Sequence, residues 1–94
     1  MITVHAAIGN SDDKLSQQDW SEYVHEFQQA MQSLTREVYG VWFSAPDSVY
    51  QNCCIAAGVT TPDMTAALRD ALVKLRHKYG QESIAMNISS TEFV

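Results

Sequence analysis

The segment "REVYGVWFSAPDSVYQNCCIAAGV", residues 36–59, decides the fold because it predicts two consecutive strands. Residues 36–43 are rich in β-branched and aromatic side chains, as is typical of a strand. Residues 44–52 carry Pro and Asp at turn positions, and the apolar run 53–59 predicts the next strand. Two strands joined by a turn therefore lie at the centre of the chain, and the flanking segments determine the topology.

The chain before these two strands predicts a strand and a helix. Residues 2–8 alternate in polarity with the period of a half-buried strand. Ser16, followed three residues later by Asp19, resembles a capping box and predicts a helix start. The apolar residues that follow recur at spacings of three and four: Trp20, Val24, Phe27, Met31 and Leu34. This spacing predicts an amphipathic helix.

The chain after the central strands repeats the pattern. Thr60 or Thr61 caps a second helix, with Pro62 in its first turn and Gly80 as its C-terminal stop. Its apolar stripe consists of Met64, Leu68, Ala71, Leu72 and Leu75. Residues 82–89 alternate again and predict a fourth strand, with its apolar side chains directed inward.

The predicted order is therefore β-α-β-β-α-β. Two right-handed crossovers in one sheet give an α+β, ferredoxin-like two-layer sandwich, with a four-stranded antiparallel sheet and both helices on one face. The alternative is a different four-stranded α+β order.

Length and composition limit the class of protein. With 94 residues, 46% of them hydrophobic, the chain predicts a single packed domain over residues 1–94. Eleven acidic and six basic residues give a net charge of −5. Because Lys and Arg contacts to phosphate supply most of the affinity for nucleic acids, we expect no nucleic-acid partner. The apolar stretches are too short to cross a bilayer and the first residues lack a signal-peptide pattern, so we expect a cytoplasmic protein without a membrane partner.

Three loops share one end of the predicted fold: residues 8–16, 44–52 and 79–83. Since Ser16 can cap the first helix alone, the polar residues before it are available for binding. We name this end the polar rim. Its predicted binding residues are Asn10, Ser11, Asp12, Asp13, Ser44, Asp47, Tyr50, Gln51, Asn52 and Gln81. The alternative is that these loops are polar only because solvent surrounds them.

The sequence contains no motif that specifies a reaction. Asp12, Asp13 and Asp47 carry the oxygen ligands of a hard cation, but their spacing lacks the calcium-loop pattern, and we predict neither a metal nor a cofactor. Cys53 and Cys54 are adjacent in a strand, so a disulfide between them is not expected and both are interpreted as packing residues. The alternative is a cysteine–histidine dyad with His5, because the first and third strands pair in this fold.

The sheet face away from the helices is predicted to be small and uncharged. Its expected members are Thr3, His5, Ala7, Cys54, Ala56, Gly58, Ala85 and Asn87, with Tyr39 and Phe43, or Trp42 if the register differs. A solvated sheet face normally carries more charge. We therefore expect a second copy to cover this face in a twofold homodimer, with a partner protein or a small apolar ligand as alternatives.

Three motifs carry a family resemblance: IGNSDDKL at residues 8–15, WFSAPDSVYQN at residues 42–52 and YGQESIA at residues 79–85, with TEFV at the end. With them the chain resembles a family of small uncharacterised proteins from actinobacteria and their phages. The resemblance implies no activity and assigns no functional residue. It implies a phage or mobile-element setting, in which small acidic proteins bind and block a host protein or a defence component.

The sequence thus predicts a small acidic, non-enzymatic interaction protein that binds a host or defence protein through the polar rim. The first alternative is a protein that binds or sequesters a nucleotide-like or polar metabolite at the same rim. The second is a metal-dependent enzyme that uses Asp12, Asp13 or Asp47 as acid, base or ligand.

Overall fold

A computed structural model of the chain describes residues 1–10, 12–45, 47 and 52–94. The predicted order β-α-β-β-α-β is confirmed, as is the α+β ferredoxin-like arrangement. The elements are β1 (Ile2–Gly9), α1 (Gln17–Leu34), β2 (Glu37–Phe43), β3 (Cys53–Thr60), α2 (Pro62–Lys78) and β4 (Ala85–Ser90). Neither helix is both long enough and apolar enough to cross a membrane within the described ranges.

The sheet has the order β2-β3-β1-β4, with every neighbouring pair antiparallel. β3 and β1 are central, whereas β2 and β4 form the two edges. The two edges differ, because the β2–β3 register shifts between Val38 and Gly40 while the β1–β4 register is uninterrupted. Tyr39 lies at this irregularity, which is a β-bulge.

Both helices begin where the sequence predicts. The Ser16 hydroxyl accepts a hydrogen bond from the Asp19 backbone N–H at 3.1 Å, which satisfies one of the free donors at the start of α1. Of the two threonines that the sequence leaves open, Thr61 is the cap of α2, since its hydroxyl accepts from the Met64 N–H at 3.3 Å. Gly80 follows the end of α2 with a φ of 63°, a left-handed conformation that glycine adopts without strain.

The hydrophobic core lies between the helices and one face of the sheet. Alternate residues of the two central strands supply the sheet side, and one stripe of each helix covers them. The core consists of Val4, Ala6, Ile8, Cys54 and Ala56 from the sheet, Trp20, Tyr23, Phe27 and Met31 from α1, and Leu68, Leu72 and Leu75 from α2. The predicted stripes are largely confirmed, but Tyr23 was missed, and Val24 and Leu34 are only partly buried.

The prediction of which β3 residues face away from the helices is wrong. Cys54, Ala56 and Gly58 lie opposite the core residues Ile8, Ala6 and Val4, so they share the helix-covered face. The strand CCIAAGVT is apolar at both odd and even positions, so its pattern does not determine which set faces inward. We name the opposite surface the open face; from β3 it holds Cys53, Ile55, Ala57 and Val59.

For β2 the alternative register is confirmed at Trp42, and the placement of Phe43 on the open face is wrong. Trp42 pairs with Ile55 on the open face, whereas Phe43 pairs with Cys54 on the helix-covered side. The indole of Trp42 lies over Gly40, where an added Cβ would be 3.0 Å from its ring. The expected open-face residues of β1 and β4 do share one face: Ala7 pairs with Ala85, and His5 with Asn87.

Candidate functional site

The three loops of the polar rim are linked by direct contacts. The Asn10 backbone N–H, at the end of β1, donates to the Asn52 carbonyl at 2.8 Å, which joins the β1–α1 loop to the β2–β3 connection. The Lys14 ammonium lies 3.7 Å from the Glu82 carboxylate, which joins the same loop to the connection before β4. Polar groups that are distant in sequence therefore lie at one end of the sandwich.

Asn10 shapes the rim from inside. Its side chain is buried, its Oδ1 accepts from the Leu15 N–H at 2.9 Å, and its Nδ2 donates to the Leu15 carbonyl at 2.9 Å. Both ends of the amide are therefore used to close the loop. The Asn10 carbonyl also accepts from Asp13, whose φ of 56° is a left-handed conformation that Asp tolerates better than most residues. Asn10 is thus placed to hold the loop rather than to contact a ligand.

The carboxylates of this loop face solvent. Asp12 accepts from the Lys14 backbone N–H at 3.3 Å, and its other oxygen lies 3.5 Å from the Lys14 ammonium. Asp13 is exposed next to it, and Asp47 is exposed on the neighbouring connection. Ion pairs this exposed contribute little to stability, so these charges remain available to a binding partner.

Three other predicted residues are engaged by the backbone. The Ser44 hydroxyl accepts from the Cys53 N–H at 2.7 Å, which closes the β2–β3 connection. Asn52 has a left-handed φ of 56° and provides the carbonyl that holds Asn10. The Gln81 side chain donates to the Tyr79 carbonyl at 3.1 Å. The predicted site residues Ser11, Tyr50 and Gln51 lie outside the described residues.

A depression of about 320 Å³ lies beside the rim, at the end of the open face nearest the rim loops. Its wall combines the carboxylates of Asp12 and Glu82 with the half-buried thiol of Cys53 and the amide of Gln81. Cys53 was interpreted from the sequence as a packing residue, and only the pairing of β3 reveals that it borders this depression. The chemistry of the wall suits a cationic or hydrogen-bond-donating group.

The cysteine–histidine dyad that the sequence left open is not formed. Cys54 faces the helices and is fully buried, and desolvation, followed by the neighbouring Cys53, raises the pKa of its thiol to about 11. Cys53 shares the open face with His5 but lies opposite Gly9, four residues along β1 from the histidine. At about 3.3 Å per residue this separates them by roughly 13 Å along the strand. Proton transfer between them is therefore not possible in this arrangement.

Asp12, Asp13 and Asp47 carry the oxygen ligands that a hard cation prefers. Within residues 1–10, 12–45, 47 and 52–94, no group of three or more His, Cys, Asp or Glu side chains is arranged to hold a metal ion.

A second polar cluster, which the sequence analysis missed, joins the two helices. The Lys78 ammonium lies 2.6 Å from the Glu26 carboxylate, and the Tyr79 hydroxyl donates to the other oxygen of that carboxylate. Hydrogen bonds from Lys78 and then Tyr79 lower the pKa of Glu26. Burial, and then the bond to Glu26, raises the pKa of Tyr79. Because Glu26 and Lys78 are 52 residues apart, no local pattern could have paired them.

Beneath this cluster Tyr23 is stacked on Tyr79, with ring centroids 4.6 Å apart. The Tyr23 hydroxyl is buried and has no hydrogen-bond partner among the described residues. Desolvation raises its pKa to about 12, although the nearby Arg76 opposes this change. The cluster thus links the two helices and covers the Tyr23 hydroxyl, which has no hydrogen-bond partner among the described residues.

Comparison with known proteins gives no match: neither a family model, nor a curated protein, nor a solved structure matches the chain. The phage or mobile-element setting therefore stays a prediction from the sequence. The support for a function of the polar rim therefore comes from its own side chains.

Proposed function

We propose that the protein is a non-enzymatic interaction protein that binds a basic surface of a partner protein through the polar rim. The observation that carries the proposal is the acidic lining of the rim depression, to which Asp12 and Glu82 both belong together with Cys53. Asp13 and Asp47 add exposed carboxylates at the same end. In the phage or mobile-element setting that the sequence suggests, the partner is a host or defence protein.

The way the rim is built supports binding. Asn10 uses both ends of its side-chain amide to close the β1–α1 loop, so Asp12 and Asp13 are carried on a loop held by hydrogen bonds. A preorganised surface loses less conformational entropy when a partner binds, which favours affinity. Exposed carboxylates also attract a basic partner during encounter and repel acidic proteins.

A homodimer through the open face is part of the proposal. Across the part of this face nearest the rim runs the row Trp42, Ile55, Ala7 and Ala85, which carries no charge. Trp42 is 52% exposed, although aromatic side chains of this size usually find cover. A second copy stacked on this face by a twofold axis would cover the row in both subunits. Sedimentation velocity tests the homodimer. We expect the wild type to sediment as a dimer and Trp42→Glu to sediment as a monomer. A wild type that stays monomeric at high concentration would contradict the homodimer.

A small polar metabolite is the second candidate occupant of the rim. Its support is the volume of the depression, about 320 Å³, which lies at the lower end of the range of small-ligand sites. A ligand bound to the folded state raises thermal stability by mass action, by about 2.7 kcal/mol at a hundredfold excess over Kd. A thermal-shift screen of cationic and nucleotide-like metabolites therefore distinguishes this candidate. If the rim binds only a partner protein, none of these metabolites should raise the melting temperature.

The test of the main proposal is affinity capture from the host lysate with three forms of the tagged protein. These are wild type, Asp12→Asn with Asp13→Asn, and the matched control Glu22→Gln with Asp70→Asn, which removes the same charge from exposed positions of the helices. We expect one stoichiometric partner on wild type and control, lost from the rim variant and weakened by added salt. Equal capture by all three forms would contradict the rim as the binding surface.

A further inference from the structure

β4 is an edge strand whose outer backbone groups face away from the sheet. The Thr91 N–H donates to the Met1 carbonyl at 2.9 Å, and this pair continues the β1–β4 register. In an antiparallel ladder every second pair exchanges hydrogen bonds, so the odd-numbered residues of β4 bond to β1. The N–H and C=O groups of Met86, Ile88 and Ser90 therefore point outward, and no strand of the described chain lies beside them.

The β4 edge lacks the features that usually prevent a strand from joining an edge. Its sequence AMNISS has no charged residue and no proline, and its pairing with β1 has no bulge. The opposite edge, β2, carries Glu37 and a bulge between Val38 and Gly40. Proteins commonly protect exposed edges with charges, prolines or bulges. The unprotected edge of this sheet is thus the one at β4.

A groove of about 160 Å³ runs along this edge, between α2 and the helix-facing side of β4. Its apolar residues are Leu72, Val73, Ile84 and Met86, and Arg69 and Arg76 belong to the same lining. Val73 is 42% exposed and Ile88, further along the edge, is 38% exposed. The two arginines are seven residues apart on α2, which corresponds to about 10 Å along the helix. Helix-facing side chains of an added strand would lie about 7 Å apart and would meet both the apolar part and the arginines.

The surface of α2 beside the β4 edge is basic, whereas the chain as a whole is acidic. Arg69 is exposed and forms no ion pair with any described residue. Arg76 donates from Nη1 to the carbonyls of Gln81 and Glu82, at 3.3 and 3.2 Å, and likewise has no carboxylate partner in the described part of the chain. In a protein with a net charge of −5, two unpaired arginines beside an open strand edge form a local site for negative charge.

We propose that β4 binds an extended acidic segment of a partner protein as a fifth strand of the sheet. The segment would hydrogen-bond to the outward groups of Met86, Ile88 and Ser90, place an apolar side chain beside Val73 and direct carboxylates to Arg69 and Arg76. A second copy does not fit this edge. Twofold antiparallel pairing of β4 would place the arginines of both copies on one side of the junction, where like charges repel. This surface adjoins the acidic rim, because Arg76 donates to the Gln81 and Glu82 carbonyls. Its binding groups are different ones, so the proposal does not depend on what the rim binds.

The experiment uses a blocked seven-residue peptide of threonines with glutamate, valine and glutamate at the second, fourth and sixth positions. A matched peptide carries lysine in place of glutamate. On titration into the 15N-labelled full chain, we expect amide shifts and slower hydrogen exchange at Met86, Ile88 and Ser90 with the acidic peptide only. Shifts confined to β2, equal binding of the lysine peptide, or no binding at millimolar peptide would overturn the proposal. So would amides at β4 that are already protected in a concentration-dependent manner without peptide, because a second copy would then occupy the edge.

Two variants test the separate contributions. Arg69→Gln should weaken the acidic peptide about tenfold, as expected for the loss of one charge-assisted contact, whereas Arg36→Gln next to β2 should leave binding unchanged. Ile88→Pro removes one outward N–H without removing a hydrogen bond to β1, so it should abolish binding while the circular dichroism spectrum of the fold persists. Unchanged binding in Arg69→Gln would overturn the charge assignment even if Ile88→Pro proved unable to fold.

Discussion

The two faces of the sheet are built from similar residues but have different surroundings. On the helix-covered face, Ala56 and its neighbours are sealed by two amphipathic helices and form the core. On the open face, Trp42 and Ile55 lie side by side with about half and more than a third of their surface exposed. β3 contributes apolar residues to both faces. Hydrophobic residues in a strand therefore do not define a core by themselves, because the covering layer decides whether they stabilise the monomer or form a binding surface.

The largest expected effect is on the helix-covered face. Phe27 is fully buried between α1 and the sheet, so Phe27→Ala should lower the free energy of unfolding by about 3–5 kcal/mol. Trp42→Ala on the open face should cost the monomer about 1 kcal/mol, because half of that side chain is already in water. Urea denaturation at a concentration where the protein is monomeric measures both. Equal losses would show that the open face is as well covered as the core.

The next largest effect on stability is expected for a glycine on the helix-covered face, and the matching glycine on the open face should show a smaller one. A Cβ at Gly58 would lie 2.6 Å from the Glu37 carbonyl and 3.2 Å from the Thr35 hydroxyl, so Gly58→Ala should destabilise the fold by about 1–3 kcal/mol. The three atoms nearest to a Cβ at Gly40 all belong to the Trp42 ring, which can rotate towards solvent. Gly40→Ala should therefore change stability by no more than about 0.5 kcal/mol. Thermal unfolding of both variants checks this order, and a reversal would mean that the indole is held firmly on the open face.

A gain in stability is expected at Tyr23, inside the helix layer. Because its hydroxyl is buried without a partner among the described residues, Tyr23→Phe removes a desolvated polar atom and keeps the stacked ring. The free energy of unfolding should rise by about 1 kcal/mol. Chemical denaturation measures the gain. A loss of stability would indicate that the hydroxyl is satisfied in solution, for example by a buried water.

The smallest effect is expected on the outer surface of the helices. The lowered pKa of Glu26 means that its carboxylate is stabilised in the folded state. This stabilisation is fully present above the unfolded-state pKa of about 4.3 and is lost as the pH falls through the lower folded-state pKa. Since Lys78 is 60% exposed, Glu26→Gln should cost less than about 1 kcal/mol at pH 7.

The pH dependence identifies the cause of this small effect. The difference between wild type and Glu26→Gln should shrink as the pH is lowered from neutral into the acidic range. Asp70→Asn, which removes an exposed acid that forms no ion pair within the described chain, serves as the control. A difference that stays constant with pH would attribute the cost to packing rather than to charge.

Much of the candidate site was predictable, but the roles of its residues were not. The polar loops could be assigned to one end because strand and helix directions alternate along the predicted order. The sequence cannot distinguish an asparagine that binds a ligand from one that closes a loop. Asn10 does the latter through two bonds to Leu15, and Ser44 does so through Cys53. Cys53 was missed because its exposure depends on the alignment of β3 with β1.

By itself the sequence determined the six elements, their order and the start of the first helix, and it limited the cap of the second helix to Thr60 or Thr61. Periodicity, the caps at Ser16 and Thr61 and the stop at Gly80 are local properties, which depend on residues a few positions apart. Only the tertiary structure decided which side of β3 is core, where β2 bulges, that Glu26 meets Lys78 and that β4 has an open edge beside two arginines. These features depend on contacts between segments distant in sequence. A strand that is apolar on both sides, or a charge without a nearby partner, leaves several such contacts possible until the chain is packed.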